Sequence, residues 1–578
     1  MSFIKIIRNR EKKAYVYLYE NYREGNKIKG RQVYSFGQLE LLEKQEPGFL
    51  QRVKKEAKLG LLDNLIKDYI TVKFDLYEKQ SRDDDPDNDK NYGWFVLDEL
   101  FKEFQLDKFI KKAVKKYKIP YELCDVIKLL TYARIIFPAS KSKTVKLQNM
   151  FFGDWDINQN YMDRSLDYFK TIREDMFLHL HQQQVAKMGR ISSVVFYDVT
   201  NYYYTNDIDD IDVWDEDTGE LVKEGMRKRG CSKENRPNPI VQMGLFMDSN
   251  GIPVSYKLFP GNTHDCSTYK PALEEIVNNF KMNRVIITAD KAMNSKKNIM
   301  INHKSNHGYI YSQKVRGKYG VPKDVQEFAI DVKSWKIVDE DFAYKSMVHE
   351  RKLDKDTIIK EKVIVTWRRE YAERDQRSRE ECVDRAKKMA KPPVFRKTCK
   401  KGSKRYLIPV FKDPATGEML ELNCDCELDK DLIHFDSLFD GINVLVTSEI
   451  DADDMFIINQ YRQLHFIEDC FRITKSGIQS RPIYVTTPEH IEAHFFTCFL
   501  ALYLIRNIYF RINKCLSSEK IIEGLKSAKC GELGEGYLKM SSNDDFKLMI
   551  EKLNIEEPYK YIPKFKLENF DKYYASNF

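Results

Sequence analysis

Two runs of apolar and β-branched residues in this chain each lead into an aspartate. Val194-Val195-Phe196-Tyr197 ends at Asp198, and Val285-Ile286-Ile287-Thr288-Ala289 ends at Asp290. Runs of this length and composition read as strands. An acidic side chain closing such a strand is hard to explain by packing, because its charge is costly to bury without a partner. A third acidic residue, Glu468, lies inside the amphipathic stretch Tyr461 to Lys475. Two carboxylates at strand ends and one on a helix suit a site for two divalent ions, which sit about 3.5–4 Å apart and share carboxylate oxygens.

The pattern around the aspartates fills in the rest of the sheet. Ser193–Asp198, Ile240–Met247 and Pro253–Phe259 read as strands, the last two joined by the turn Asp248-Ser249-Asn250-Gly251. Ser267–Phe280 follows as a helix with Leu273, Ile276, Val277 and Phe280 on one face. Arg284–Ala289 is then a strand, Ser295–His303 a short helix and Tyr309–Val315 another strand. Three meandering strands followed by alternating helix and strand describe an α/β, RNase H-like core. In that topology the first and fourth strands are neighbours, which puts Asp198 beside Asp290. Residues 316–438 interrupt the core with β-like segments at Glu361–Trp367 and Arg405–Val410 and a charged helical piece, Arg369–Lys391; a β-rich inserted subdomain is expected. Strand Ile442–Thr447 resumes the core, followed by the helix bearing Glu468 and an apolar helix around 491–512.

The expected division is a basic β-rich segment (1–82), a helical domain (93–188), two parts of the core (189–315 and 439–515) around the insertion (316–438), and a polar tail (516–578). In the first segment, Ala14–Tyr19 and Gln32–Phe36 are aromatic and β-branched, with Gly25-Asn26 between them. The first 37 residues carry nine Lys or Arg against three Glu. Tyrosines interleaved with basic residues suit a nucleic-acid surface and a small solvated sheet equally well. Asp83–Asp89 reads as a linker. Apolar residues at helical spacing, from Phe95 to Phe104 and from Val126 to Phe137, mark the helical domain, a candidate for DNA binding. The loop Pro138–Lys143 breaks it, offering two lysines to phosphate or simply connecting helices.

Composition narrows the class. Hydrophobic residues at 42% and charged residues at 32% exclude a disordered chain. A net charge of +8 is too modest to imply a polyanion partner, so one must be sought in local patches. The 11 cysteines are scattered, and Cys424-x-Cys426 has no second pair at zinc spacing, so reduced structural thiols in a cytoplasm are expected. Met1–Lys13 has no long apolar core, unlike a signal peptide. Phe495–Ile505 is shorter than a bilayer span and flanked by His494 and Arg506, so it reads as a buried core helix. A soluble cytoplasmic protein without membrane contact is expected.

On a single helix, the seven-residue steps from Tyr461 to Glu468 to Lys475 return to within about 20° of one face. The carboxylate would then reach a metal, Lys475 a phosphate, and Tyr461 would donate a hydrogen bond to another. A solvated face with an i,i+4 pair from Glu468 to Arg472 is the plainer alternative. Arg462 and Arg472 are further candidate DNA contacts. So are Lys228, Arg229 and Lys233, in the loop between the first two core strands, unless that loop is merely solvated. From Arg385 to Arg405 there are ten Lys or Arg and no acid, which makes Lys400 and Lys401 candidate phosphate contacts. Asp207–Asp212 reads as a solvated acidic loop and Gly261–Asp265 as a turn and helix start. His264 and His494 are set aside because hard Mg²⁺ prefers oxygen.

The stripe Tyr461, Glu468, Lys475 resembles the Tyr-Arg-Glu-Lys signature of bacterial insertion-sequence transposases with a DDE triad. The resemblance continues through Arg481-Pro482 and Ile491-x-x-His494. Upstream it takes in Phe196-Tyr197-Asp198-Val199-Thr200, Gly230-Cys231-Ser232-Lys233, Gly261-Asn262-x-x-Asp265 and Thr288-Ala289-Asp290-Lys291-Ala292-Met293. Single motifs of this kind are weak, but the ordered set is specific. The chain departs from the signature at one point: the arginine expected four residues before the glutamate is Leu464, and Arg462 lies six before.

The resemblance implies an RNase H-like catalytic domain with a β-rich insertion before the glutamate, and Asp198, Asp290 and Glu468 as catalytic metal ligands. The expected activity is metal-dependent cleavage and strand transfer at insertion-sequence ends, with two Mg²⁺ ions per site that Mn²⁺ can replace. The expected partners are double-stranded DNA, at terminal inverted repeats and target, and a second copy of the chain in the synaptic complex. The alternatives are a metal-dependent nuclease without strand transfer and a catalytically decayed DNA-binding protein. No helix-turn-helix pattern identifies the part that reads the ends.

Overall fold

The computed structural model describes residues 2–8, 13–24, 27–58, 62, 89–190, 194–280, 284–317, 320–389, 403, 406–410, 425–534 and 536–569. They fall into two compact units, one of residues 1–187, 204–206 and 470–578, the other of 188–203 and 207–469. The expected turn at Gly25-Asn26, residues 83–88 of the linker, Cys424, and the basic residues from Lys391 to Arg405, including Lys400 and Lys401, lie outside the described residues.

The first unit begins with an antiparallel sheet of β1 (Ser2–Arg8), β2 (Ala14–Glu24) and β3 (Lys27–Gln38), in that order. Alternation along β2 turns Val16 and Leu18 to one face, where they form a small core with Phe49, Val53 and Ala57 of helix Phe49–Lys58. The short β4 (Lys90–Asn91) precedes the helical part.

The second unit is built on one large mixed sheet. Its strands are β5 (Val194–Tyr203), β8 (Ile240–Asp248), β9 (Pro253–Pro260), β10 (Ile286–Ala289), β11 (Gly308–Gln313), β12 (Lys336–Ile337), β13 (Phe342–Lys352), β14 (Ile358–Arg368) and β17 (Ile442–Thr447). Two small hairpins stand outside it, β6 (Val213–Trp214) with β7 (Leu221–Lys223), and β15 (Leu407–Val410) with β16 (Asp425–Leu428). The strand order is β12-β13-β14-β17-β11-β10-β5-β8-β9. β5, β8 and β9 form an antiparallel meander, while β5, β10 and β11 run parallel. Every residue of β8 is buried, as suits a strand covered on both faces. Beside the meander, Arg190 and Asp248 form a buried ion pair at 2.6 Å.

Two features differ from the sequence reading. β5 does not end at Asp198 but runs on to Tyr203, because Val199–Tyr203 stays paired with β8. The first half of the insertion is not a separate body: β14 pairs with both β13 and β17 and so extends the same sheet. Its Val363-Ile364-Val365 run is buried and needs a paired strand on each side.

In the first unit, helix Pro488–Arg511 packs on helix Leu123–Ile136. It is long and apolar enough to cross a bilayer, and most of it is buried inside the protein. Phe169 and Phe177 of helix Phe169–Met188 meet Phe496 and Phe499 at ring distances of 5.4 and 4.8 Å. The loop Pro138–Lys143 is a helix connector: Ser140 caps helix Lys141–Leu147, and Lys141 is buried 3.0 Å from Nδ1 of His494. Lys141 is therefore not placed to meet phosphate. Within the stretch read as a polar tail, the described residues up to 569 form further elements. Helices Ser518–Ser527 and Asp544–Lys552 pack together, and β18 (Lys529–Gly534), β19 (Tyr537–Ser541) and β20 (Tyr561–Pro563) pair with β4 in the order β20-β19-β18-β4.

Candidate active site

The parallel register of β5 and β10 sets Phe196 opposite Thr288. Two residues further on, Asp198 and Asp290 therefore stand side by side where that pairing stops. Asp198 Oδ1 accepts from the backbone N–H of Val199 at 2.7 Å, and Asp290 Oδ1 accepts from Ser312 Oγ at 3.2 Å. Burial pushes the Asp198 carboxyl up to about 6; Lys233 and the Val199 N–H pull it down, and the neighbouring charges of Asp290 and Asp265 add to the rise. Like charges this close are what a divalent cation would relieve.

Lys233 reaches this place because its loop is tied to the sheet. Its ammonium donates to the carbonyl of Val199, and Asn201 Nδ2 donates to the carbonyl of Cys231 at 3.1 Å. Where the loop crosses the end of β9, a Cβ on Gly230 would lie 2.0 Å from the carbonyl oxygen of Gly261. Both glycine motifs thus serve a close backbone crossing. Lys228 and Arg229 are placed otherwise than as free phosphate contacts. Lys228 pairs with Asp212 at 2.9 Å, and Arg229 pairs with Asp207 and Asp209 at 2.8 Å each. The acidic loop is the counter-charge of this basic one rather than merely solvated.

The stretch around Glu468 is not one helix. Helix Asp454–Arg462 ends at a turn through Gln463 and Leu464, helix His465–Arg472 follows, and Ile473–Gly477 is a π-helical turn. Leu464, Phe466 and Ile467 are buried at this turn and the start of the second helix. The one-stripe expectation is corrected accordingly. Tertiary packing nevertheless brings Tyr461 to the aspartates. A side-chain hydrogen bond links it to Ser312, and burial, reinforced by the charges of Asp290 and Glu468, pushes its hydroxyl up to about 12. Tyr461 therefore keeps its proton at neutral pH. Glu468 is exposed, and Lys475 is half-buried in the π-turn. Arg462 stacks on Phe342 with 4.3 Å to the ring centre, and burial together with Arg368 holds its guanidinium below the usual range. Arg472 pairs with Glu519 at 2.7 Å.

Lys233 and Asp290 thus act on Asp198, and Asp290 and Glu468 act on Tyr461. Among the described residues, no three His, Cys, Asp or Glu side chains stand close enough together to enclose a metal ion. Sequence reasoning missed Ser312 and Asp265. Asp265 opens helix Asp265–Phe280 and acts on Asp198, and its signal was the Gly261-Asn262-x-x-Asp265 motif. Ser312 carries no local signal, since only the sheet order brings it to Asp290.

The sequence matches the family described as "Transposase DDE domain" over residues 218–504, a span that holds Asp290 and Glu468 and begins after Asp198. Residues 4–61 match the "IS1634 family transposase, N-terminal domain". The two matches together span more than half of the chain. The chain belongs to the DDE transposases of insertion sequences. It acts in DNA transposition, and its N-terminal segment is of the IS1634 kind. No curated protein matches the sequence. Among solved structures, the piggyBac transposase synaptic complex with hairpin DNA is similar at 11% identity and a TM-score of 0.30, covering 89% of this chain and 79% of that one. The Mos1 transposase paired-end complex with the left transposon end is similar at 11% identity and a TM-score of 0.14, covering 47% and 70%.

Proposed function

We propose that Asp198, Asp290 and Glu468 are the catalytic carboxylates of an RNase H-like core. In this reading the core cuts DNA at insertion-sequence ends and joins the freed 3′-hydroxyls to a target. The observation that carries it is the β5–β10 register, which sets two carboxylates side by side at the edge of a buried pairing. A divalent metal is implied by the family. The donors fit one, because all are carboxylate oxygens and the Asp198 environment disfavours uncompensated charge. We assign two Mg²⁺ ions, replaceable by Mn²⁺, with Glu468 closing the set. When bound, such ions lower the pKa of the attacking hydroxyl and stabilise charge on the phosphate in transfer.

The chain's own residues do the rest. Asp198 must be ionised, which Lys233 favours. Tyr461, protonated, donates hydrogen bonds beside Asp290. Lys233, Arg462 and Lys475 supply positive charge to the DNA backbone. The substrates are double-stranded terminal repeats and a target duplex, and pairing two ends calls for a homodimer. DNA inside a bacterial cytoplasm is the site of action.

The test is a cleavage and joining assay with purified protein, Mg²⁺ or Mn²⁺, and labelled duplex carrying the ends that flank the gene. Metal-dependent nicking followed by joining, lost in Asp198→Ala, is the expected result. Cleavage without joining would make the protein a nuclease. Binding without cleavage would make it a decayed transposase.

A further inference from the structure

We propose that the open face of the β1-β2-β3 sheet is the surface that reads the transposon-end duplex. The proposal rests on the transposase reading above and assigns end recognition to one face of one element.

The face is defined by register. Val16 and Leu18 point into the small core, so Tyr15, Tyr17 and Tyr19 point the other way. On β1, Phe3 lies opposite Tyr19 and Lys5 opposite Tyr17. On β3, the partners are Gln32 opposite Tyr19, Ser35 opposite Tyr17 and Gln38 opposite Tyr15. These three β3 residues are three apart, not two, and an unbulged strand would turn Ser35 to the opposite face from Gln32 and Gln38. Two register shifts, between Val16 and Tyr17 and between Leu18 and Tyr19, return all three to the tyrosine face. Bulges that re-aim side chains in this way mark functional surfaces.

The chemistry of the face fits the major groove. Phe3, Lys5, Gln32 and Ser35 are exposed, the tyrosines are half-buried, and the Lys5 ammonium sits 4.7 Å from the centre of the Tyr19 ring. Glutamine pairs with the adenine edge, lysine with guanine, and an apolar ring with the thymine methyl. Same-face neighbours along a strand are about 6.8 Å apart. That is about two base-pair rises of duplex. Strands of a sheet can enter a groove of the duplex and present their side chains to base edges. The first 37 residues carry nine Lys or Arg against three Glu, a balance that complements a polyanion rather than an apolar protein surface.

The experiment uses the full chain and two labelled duplexes, one carrying the terminal repeat that flanks the gene and one with the same bases scrambled. Gln32→Ala with Lys5→Ala should weaken binding to the repeat about tenfold or more and leave binding to the scrambled duplex within about twofold. Both side chains are exposed, and unchanged melting of the variant checks the fold. If the parent binds and cuts the repeat and the double variant does so equally well, this inference is overturned and the transposase reading stands. If the parent neither prefers nor cuts the repeat, both fall. A face variant that loses binding to another protein but not to the repeat would also overturn it.

Discussion

The two sheets of this protein carry function in opposite ways. The nine-stranded sheet is covered on both faces around β5, β8 and β10, so a polar side chain can act only where neighbouring strands part, and Asp198 and Asp290 stand just past the end of the β5–β10 pairing, while β5 stays paired with β8. The three-stranded sheet, among the described residues, packs its core on one face, and the recognition proposed for it lies along the strands, in the exposed side chains of the other face. A buried sheet positions a few charged groups rigidly at an edge, which suits chemistry. A half-covered sheet offers a broad, exposed pattern, which suits recognition.

Substitutions should separate the two regions. The largest effect is expected from Asp198→Ala or Asp290→Ala. Each should lower cleavage on the order of 10³-fold or more while end binding stays near that of the parent. Measuring binding and nicking on the same labelled repeat checks this, and cleavage surviving either change would remove that residue from the site. Next comes Arg190→Ala. It strands Asp248, whose side chain is 1% exposed, and should cost roughly 3–5 kcal/mol in denaturant unfolding. A loss below about 1 kcal/mol would show that the ion pair is not what braces the buried sheet. The double change on the open face should follow, at about tenfold in end binding with no change in metal affinity.

The smallest effect concerns pH. With the Asp198 carboxyl pushed up to about 6, its protonated form competes with metal below that pH, so metal affinity and cleavage should fall as pH drops through it. Lys233→Met removes the cation that pulls this carboxyl down, so the acid limb of the pH–rate profile should move to higher pH. A profile that stays in place would separate Lys233 from the site.

The strand elements of the core were legible because buried strands write themselves as apolar runs, and the order of helix and strand leaves few topologies. Asp198 and Asp290 stood out from the apolar runs before them, although β5 runs on past Asp198. The Glu468 stretch was legible in its residues but not in its shape. The seven-residue spacing predicts a continuous stripe, whereas a turn at Gln463 and Leu464 splits the helix and a π-turn follows its second part. The basic loop at 228–233 was readable as charge, yet not which lysine would be neutralised. Asp212 takes Lys228, while Lys233 is carried to Val199 by a glycine crossing that no spacing rule reveals.

Sequence by itself determined the family, the α/β alternation of the core and the aspartates that stand out against apolar strands, because each rests on local pattern or ordered motif. Tertiary structure alone decided that Ser312 and Tyr461 meet Asp290, that β14 extends the sheet beside β17, and that the residues after 516 fold onto β4. Those contacts join residues far apart in the chain. Their pairing is set by which faces are left to bury once the local elements have formed.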